Sequence, residues 1–109
     1  MHHHILVGRL TAAEYNDFGG DAGLTFELAQ PDAARYTGQT IRCLMSYGRT
    51  PEAHAAAVAA VAQMQLGHRY RAEGLGIGCC GNQTWLFGVT AWVPVPNTVE
   101  LRFPHLVAA

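Results

Sequence analysis

Arginine and aromatic side chains carry the chemistry this chain has to offer. Arg42, Arg69 and Arg71 alternate with apolar residues in strand-like runs, so they are expected to point away from a core. With Arg9 and Arg49 they would form one basic strip. A guanidinium pairs with phosphate through a planar fork and also stacks on flat rings. Trp85 and Phe87 share one parity of the last apolar run, and Trp92 has the other. Two arrangements fit: either set faces a groove while the other lies in the core. Tyr47 ends another run, and Tyr15, Phe18 and Tyr36 fall in stretches read as loops. A base stacked on an aromatic ring is worth about 1–3 kcal/mol, and arginines track the backbone beside it. Such a set suits the binding of a single nucleic-acid strand. The opposing reading is a solvated face on which Glu27 and Glu73 balance the arginines; Glu14, Asp17 and Asp21 would repel a backbone nearby.

Other chemistries find less support. No serine, cysteine or histidine constellation suggests a nucleophile, and no carboxylate pair suggests acid–base work, so no enzyme is expected. Cys79 and Cys80 are adjacent and lack metal-ligand spacing; with Cys43 they read as reduced thiols. His2, His3 and His4 read as flexible terminal residues or an expression tag, and His54, His68 and His105 as packed or surface residues. No metal or cofactor is expected.

Composition bounds the rest. The 109 residues suit a single domain, and half of them are hydrophobic. Charged residues make up 14%, below the roughly 25% of average soluble proteins. All positive residues are arginine, which fits a GC-rich bacterial or mobile-element genome. The net charge of −1 provides no global attraction for nucleic acid, so any such role rests on local arrangement. No apolar run reaches the roughly 18 residues of a membrane span, and no signal peptide opens the chain. A cytoplasmic protein without membrane contact is the expectation.

The elements that must position these residues follow from periodicity. Strands are expected over 5–11, 24–29, 40–47, 68–74 and 84–93. Gly8 reads as a bend in the first. Residues 12–23 read as a turn-rich loop, because Asn16-Asp17 and Gly19-Gly20-Asp21 are breakers. Residues 32–39 read as a second loop, and 74–81, with four glycines, as a flexible hairpin loop. Thr50 as N-cap, Pro51 at the first position and Glu52 in the first turn predict a helix running to about Gln65, with Gly67 as its stop. Val58, Val61, Gln65 and Leu66 would form its buried face. Three strands, a helix and two strands is the order of an all-β, five-stranded OB-fold barrel with its helix between strands 3 and 4. That domain is assigned to residues 1–93. Residues 94–109 form an extension that supplies an extra strand at 98–103 or an oligomer contact, because its apolar content exceeds what a small barrel needs.

Several motifs in this order resemble bacterial single-stranded DNA-binding proteins and their primosomal-type OB-fold relatives. Ile5-Leu6-Val7-Gly8-Arg9-Leu10-Thr11 is similar to the family's first strand, and Phe26-Glu27-Leu28-Ala29 to its second. Tyr47-Gly48-Arg49, followed by Glu52 and Ala53, resembles the turn into its helix, and Arg71-Ala72-Glu73-Gly74 the end of its fourth strand. The likeness spans residues 4–93. It implies that Tyr47 stacks on a base, that Arg49 contacts the backbone beside it, and that Arg9 occupies an often basic position. Ile41 stands near where the family usually carries tryptophan, the hairpin at 78–81 is uncharged, and the chain ends without an acidic tail. A tail-less, specialised relative is therefore expected.

The expected function is single-stranded DNA binding in replication, recombination or conjugation, through Arg9, Arg42, Arg49, Arg69, Arg71, Tyr47, Trp85 and Phe87. The partner is single-stranded DNA or RNA, and the assembly a homodimer or homotetramer. The alternative is an OB-fold protein–protein interaction module, a replication accessory or inhibitor, without strong nucleic-acid affinity. A small-molecule or oligosaccharide-binding barrel is a third reading.

Overall fold

Alternating apolar and polar residues generate five strands around one core. The computed structural model describes residues 3–29 and 38–96. The elements are β1 (His4–Phe18), β2 (Asp21–Ala29), β3 (Thr40–Gly48), α1 (Pro51–Gln63), β4 (Arg69–Cys80) and β5 (Gln83–Pro94). All five strands belong to one sheet, hydrogen-bonded in the order β1-β2-β3-β5-β4. Residues 4–9 of β1 pair with 69–74 of β4, so the sheet closes on itself. Neighbours are antiparallel except β3 and β5, which run parallel where Ile41–Cys43 meets Thr84–Leu86. A parallel pair needs a long crossover, and α1 with β4 supplies it.

Every strand contributes inward side chains. Leu6, Leu10, Leu24, Phe26, Leu28, Ile41, Cys43 and Leu86 are fully buried, joined by Tyr70 and Ala72. The alternation expected in β3 and β4 holds, with Arg42, Arg69 and Arg71 on the outer face, whereas in β2 Thr25, expected on the open face, is buried along with Phe26 and Leu28. The Tyr70 hydroxyl accepts from the Gln65 backbone N–H at 2.9 Å, so its polar end is satisfied where the helix leaves for β4.

Helix α1 begins where the capping residues place it. The Ala53 N–H donates to Thr50 Oγ1 at 3.0 Å, with Pro51 in the first turn. Replacing Thr50 by alanine is expected to lower stability by about 1 kcal/mol, readable as a shifted urea midpoint at constant m-value. The helix ends at Gln63, before Gly67, because Met64 adopts an extended conformation. Its buried face also differs from the expected one. Ala57, Ala60 and Met64 are buried, while Val58 and Leu66 are exposed; of the expected face only Val61 packs on the core. Small alanines let the helix lie close against β1, β2 and β3, an advantage that a count of apolar residues does not register.

Two stretches read as loops are strands. β1 continues to Phe18 and β2 starts at Asp21, so residues 12–23 form a paired hairpin. Gly19 and Gly20, both at positive φ, make its tight turn, and Asp17 Oδ1 accepts from the Gly20 N–H at 2.7 Å. Asn16 donates across the ladder to the buried Thr25 hydroxyl at 2.9 Å rather than breaking the strand. Phe18 lies over Gly23, where a side chain would stand 2.6 Å from its ring. The irregularity in β1 falls between Leu10 and Ala12, not at Gly8. Likewise β4 runs unbroken through 74–80 and pairs with β5 as far as Cys80 and Gln83. The expected strand over 98–103 lies outside the described residues, as do Arg35 and Tyr36.

Burial divides the three thiols. Cys43 is fully buried, and desolvation pushes its thiol well above the ordinary range; Cys79 and Cys80 are exposed on the β4–β5 hairpin. Ellman's reagent is expected to titrate two thiols quickly in the native protein and the third only on unfolding. Because burial raises the Cys43 value in the folded state, its contribution is complete below the unfolded thiol's pKa of about 8.5 and is lost as pH rises beyond it.

Candidate nucleic-acid interface

One row of the sheet crosses all five strands: Ala12, Glu27, Arg42, Trp85 and Gly78 are successive register partners. Its centre is the Arg42 guanidinium, whose Cζ lies 5.1 Å from the centroid of the Trp85 ring. Trp85 and Phe87 stack with centroids 6.1 Å apart and planes 16° from parallel. Phe87 is 37% exposed and Trp85 is half-buried. Glycines of β4 are their register partners: Gly76 of Phe87 and Gly78 of Trp85. A Cβ at Gly78 would stand 3.4 Å from the Phe87 ring. The Phe87 ring thus lies over Gly78, and the ladder with β5 keeps the glycine-rich stretch a strand.

Local geometry in β5 turns these rings outward. Leu86, Val89 and Trp92 face the core side at intervals of three residues. Gly88, at φ 59°, and a register shift opposite Glu73–Gly74 absorb the odd residues. Trp92 packs edge-on against Tyr70 with centroids 5.6 Å apart. Of the two aromatic sets on β5, Trp85 with Phe87 is the outward one. Gln83 ties the strand to β3 by donating to the Thr40 carbonyl at 2.9 Å.

The remaining expected site residues lie elsewhere, and the arginines fall into three groups rather than one strip. Arg9 and Arg69 face each other across β1 and β4, with Arg71 two residues further along and 3.7 Å from Glu73. Tyr47 is half-buried and packs against the core, so its ring does not stand free beside Arg42. Arg49 is engaged at the β1–β2 turn, donating to Asp21 Oδ2 at 3.1 Å and to the Gly19 carbonyl at 2.9 Å.

Long-range partners gave no local signal in the chain. Glu14 reaches Arg42 at 3.6 Å. His54 bridges Tyr15 and Gly20: its Nε2 lies 2.8 Å from the Gly20 carbonyl and its Nδ1 2.6 Å from the Tyr15 hydroxyl. A carbonyl only accepts, so Nε2 carries the proton and, in the neutral ring, Nδ1 accepts from Tyr15. Thus two of the acidic residues expected to repel a phosphate backbone, Glu14 and Asp21, are each paired with an arginine. Among the described residues no three His, Cys, Asp or Glu side chains gather as a metal site, and no helix is long and apolar enough to cross a membrane. No protein-family model matches the chain, and a search of curated proteins finds no match either.

Proposed function

We propose that this chain is an OB-fold barrel that binds single-stranded DNA on the outer face of β3 and β5, and that it acts by binding rather than catalysis. The observation that carries this reading is the Arg42–Trp85–Phe87 cluster: a cation and two outward rings on a sheet face beside Gly76 and Gly78. The rings offer stacking surface and Arg42 a partner for phosphate, which is the pairing that single-strand binding uses. Glu14 holds Arg42 through an exposed pair only, and such pairs are worth about 0–1 kcal/mol, so a phosphate can displace it. The motifs that resemble those of single-stranded DNA-binding proteins support the same reading, under which the chain assembles as a homodimer or homotetramer and acts in replication, recombination or conjugation.

Fluorescence anisotropy with labelled oligothymidine at low and moderate salt tests this proposal. Binding that weakens steeply with salt and quenches tryptophan emission is expected; absence of binding at low salt refutes it. A protein-binding module is the second reading. Ile5 and Val93, 48% and 46% exposed, offer apolar contact on β1 and β5, on either side of Arg71 and Glu73 of β4. Under that reading oligothymidine does not bind at any salt concentration.

A further inference from the structure

The hairpin of β4 and β5 outruns β1 and leaves one strand edge bare. β1 pairs with β4 only as far as Gly74, whereas β4 continues with β5 to Cys80. Among the described residues, no backbone hydrogen bond reaches the other side of residues 75–80. The two-residue turn at Gly81 and Asn82 fixes which groups stand there. Cys80 and Gln83 flank that turn, so they exchange backbone hydrogen bonds. Alternation then makes Cys79–Thr84 and Ile77–Leu86 the pairs that do not. Cys79 Sγ lies 3.7 Å from Thr84 Oγ1, the close side-chain approach expected of such a pair. The N–H and C=O groups of Ile77 and Cys79 therefore face away from β5, toward the bare edge. Edges of this kind template pairing with another chain, and folded proteins blunt them with charge or proline. This edge has neither: it reads Leu75-Gly76-Ile77-Gly78-Cys79-Cys80, and no charged residue occurs between Glu73 and Glu100.

We propose that this edge pairs with the same edge of a second copy of the chain, antiparallel about a two-fold axis, and joins two sheets into one. A second copy fits for two reasons. An antiparallel edge is self-complementary, because its outward N–H and C=O groups meet the C=O and N–H groups of its symmetry mate. Identical uncharged hairpins also meet without like-charge repulsion, and no charge on the edge selects a different partner. The pairing gives the homodimer of the reading above an interface, and it is tested without nucleic acid. A two-fold axis normal to the sheet keeps the same face outward in both protomers. The two Arg42–Trp85–Phe87 clusters then share one surface, with their Trp85 residues three strand spacings, about 14 Å, apart across the strands.

Sedimentation equilibrium of the full chain tests it together with amide hydrogen exchange, in a reductant that keeps Cys79 and Cys80 as thiols. A dimer at micromolar concentration is expected, with the Ile77 and Cys79 amides protected in step with the dimer fraction. Cys79→Pro removes one edge donor from each protomer and spares the ladder to β5. It is expected to weaken dimerisation about tenfold or more while keeping the parent's far-ultraviolet circular dichroism. Cys79→Ser keeps the N–H and should dimerise like the parent. Exchange on the parent chain needs no variant, so it decides the question even where Cys79→Pro does not fold. A chain that stays monomeric throughout the micromolar range overturns the proposal, as does undiminished dimerisation of a folded Cys79→Pro. A dimer whose Ile77 and Cys79 amides exchange as fast as in the monomer has its interface elsewhere and overturns it. Protection independent of concentration means that the edge is covered within one chain, which overturns it equally.

Discussion

Gly74→Ala is expected to lower stability by about 2–3 kcal/mol, with a fall of roughly 10 °C or more in Tm. A Cβ at this position would stand 2.7 and 2.8 Å from Leu86 Cγ and Cδ1, and 2.9 Å from the Phe87 carbonyl oxygen. Leu86 is fully buried in the core and cannot swing away, and the carbonyl belongs to the adjacent strand. The methyl can be accommodated only by separating β4 from β5. Gly76→Ala is the control two residues away: nothing lies within 4 Å of its Cβ, so its Tm is expected to stay close to that of the parent. Differential scanning calorimetry of the pair makes the comparison. Equal melting of the two variants would contradict the strand pairing through 74–80 and restore a loop there.

Trp85→Ala is expected to weaken oligothymidine binding about 5- to 150-fold and to leave the far-ultraviolet circular dichroism nearly unchanged, with Tm lower by roughly 2–8 °C because its contacts with Arg42 and Phe87 are lost. The ring lies on the outer face and contributes to stacking surface more than to the core. Arg42→Gln acts differently. Losing one phosphate contact to a single strand should reduce the slope of log K against log salt by about 0.7. It also removes the cation over Trp85, a contact worth about 0.5–1 kcal/mol at an exposed site. Arg49→Gln should have little effect on the salt slope, since that guanidinium is engaged by Asp21 and the Gly19 carbonyl. Salt titrations of the three variants by anisotropy separate these roles. An unchanged affinity for Trp85→Ala would remove the cluster from the binding face.

Particular residues show how far a reading of the chain could reach. The start of α1 was legible because capping is local: Thr50, Pro51 and Glu52 act within one turn. The outward placement of Arg42, Arg69 and Arg71 was legible because alternation has a fixed period of two. The buried face of α1 was not, because close approach of Ala57 and Ala60 depends on the surface they meet. Nor was the division of Trp85 from Trp92, which follows from Gly88 at positive φ and a register shift in β5.

The amino-acid sequence by itself determined the order of five strands and one helix, the helix start, and which strand residues alternate toward solvent. Those features rest on interactions between residues a few positions apart. Tertiary structure decided how far β1, β2 and β4 extend, because glycines and asparagines that would end an isolated strand are held by partners across the sheet. It also decided that Trp85 and Phe87 meet Arg42, that Arg49 serves a turn, and that Arg9 confronts Arg69. Each of these depends on register between strands distant in the chain, which only closure of the sheet around its core can fix.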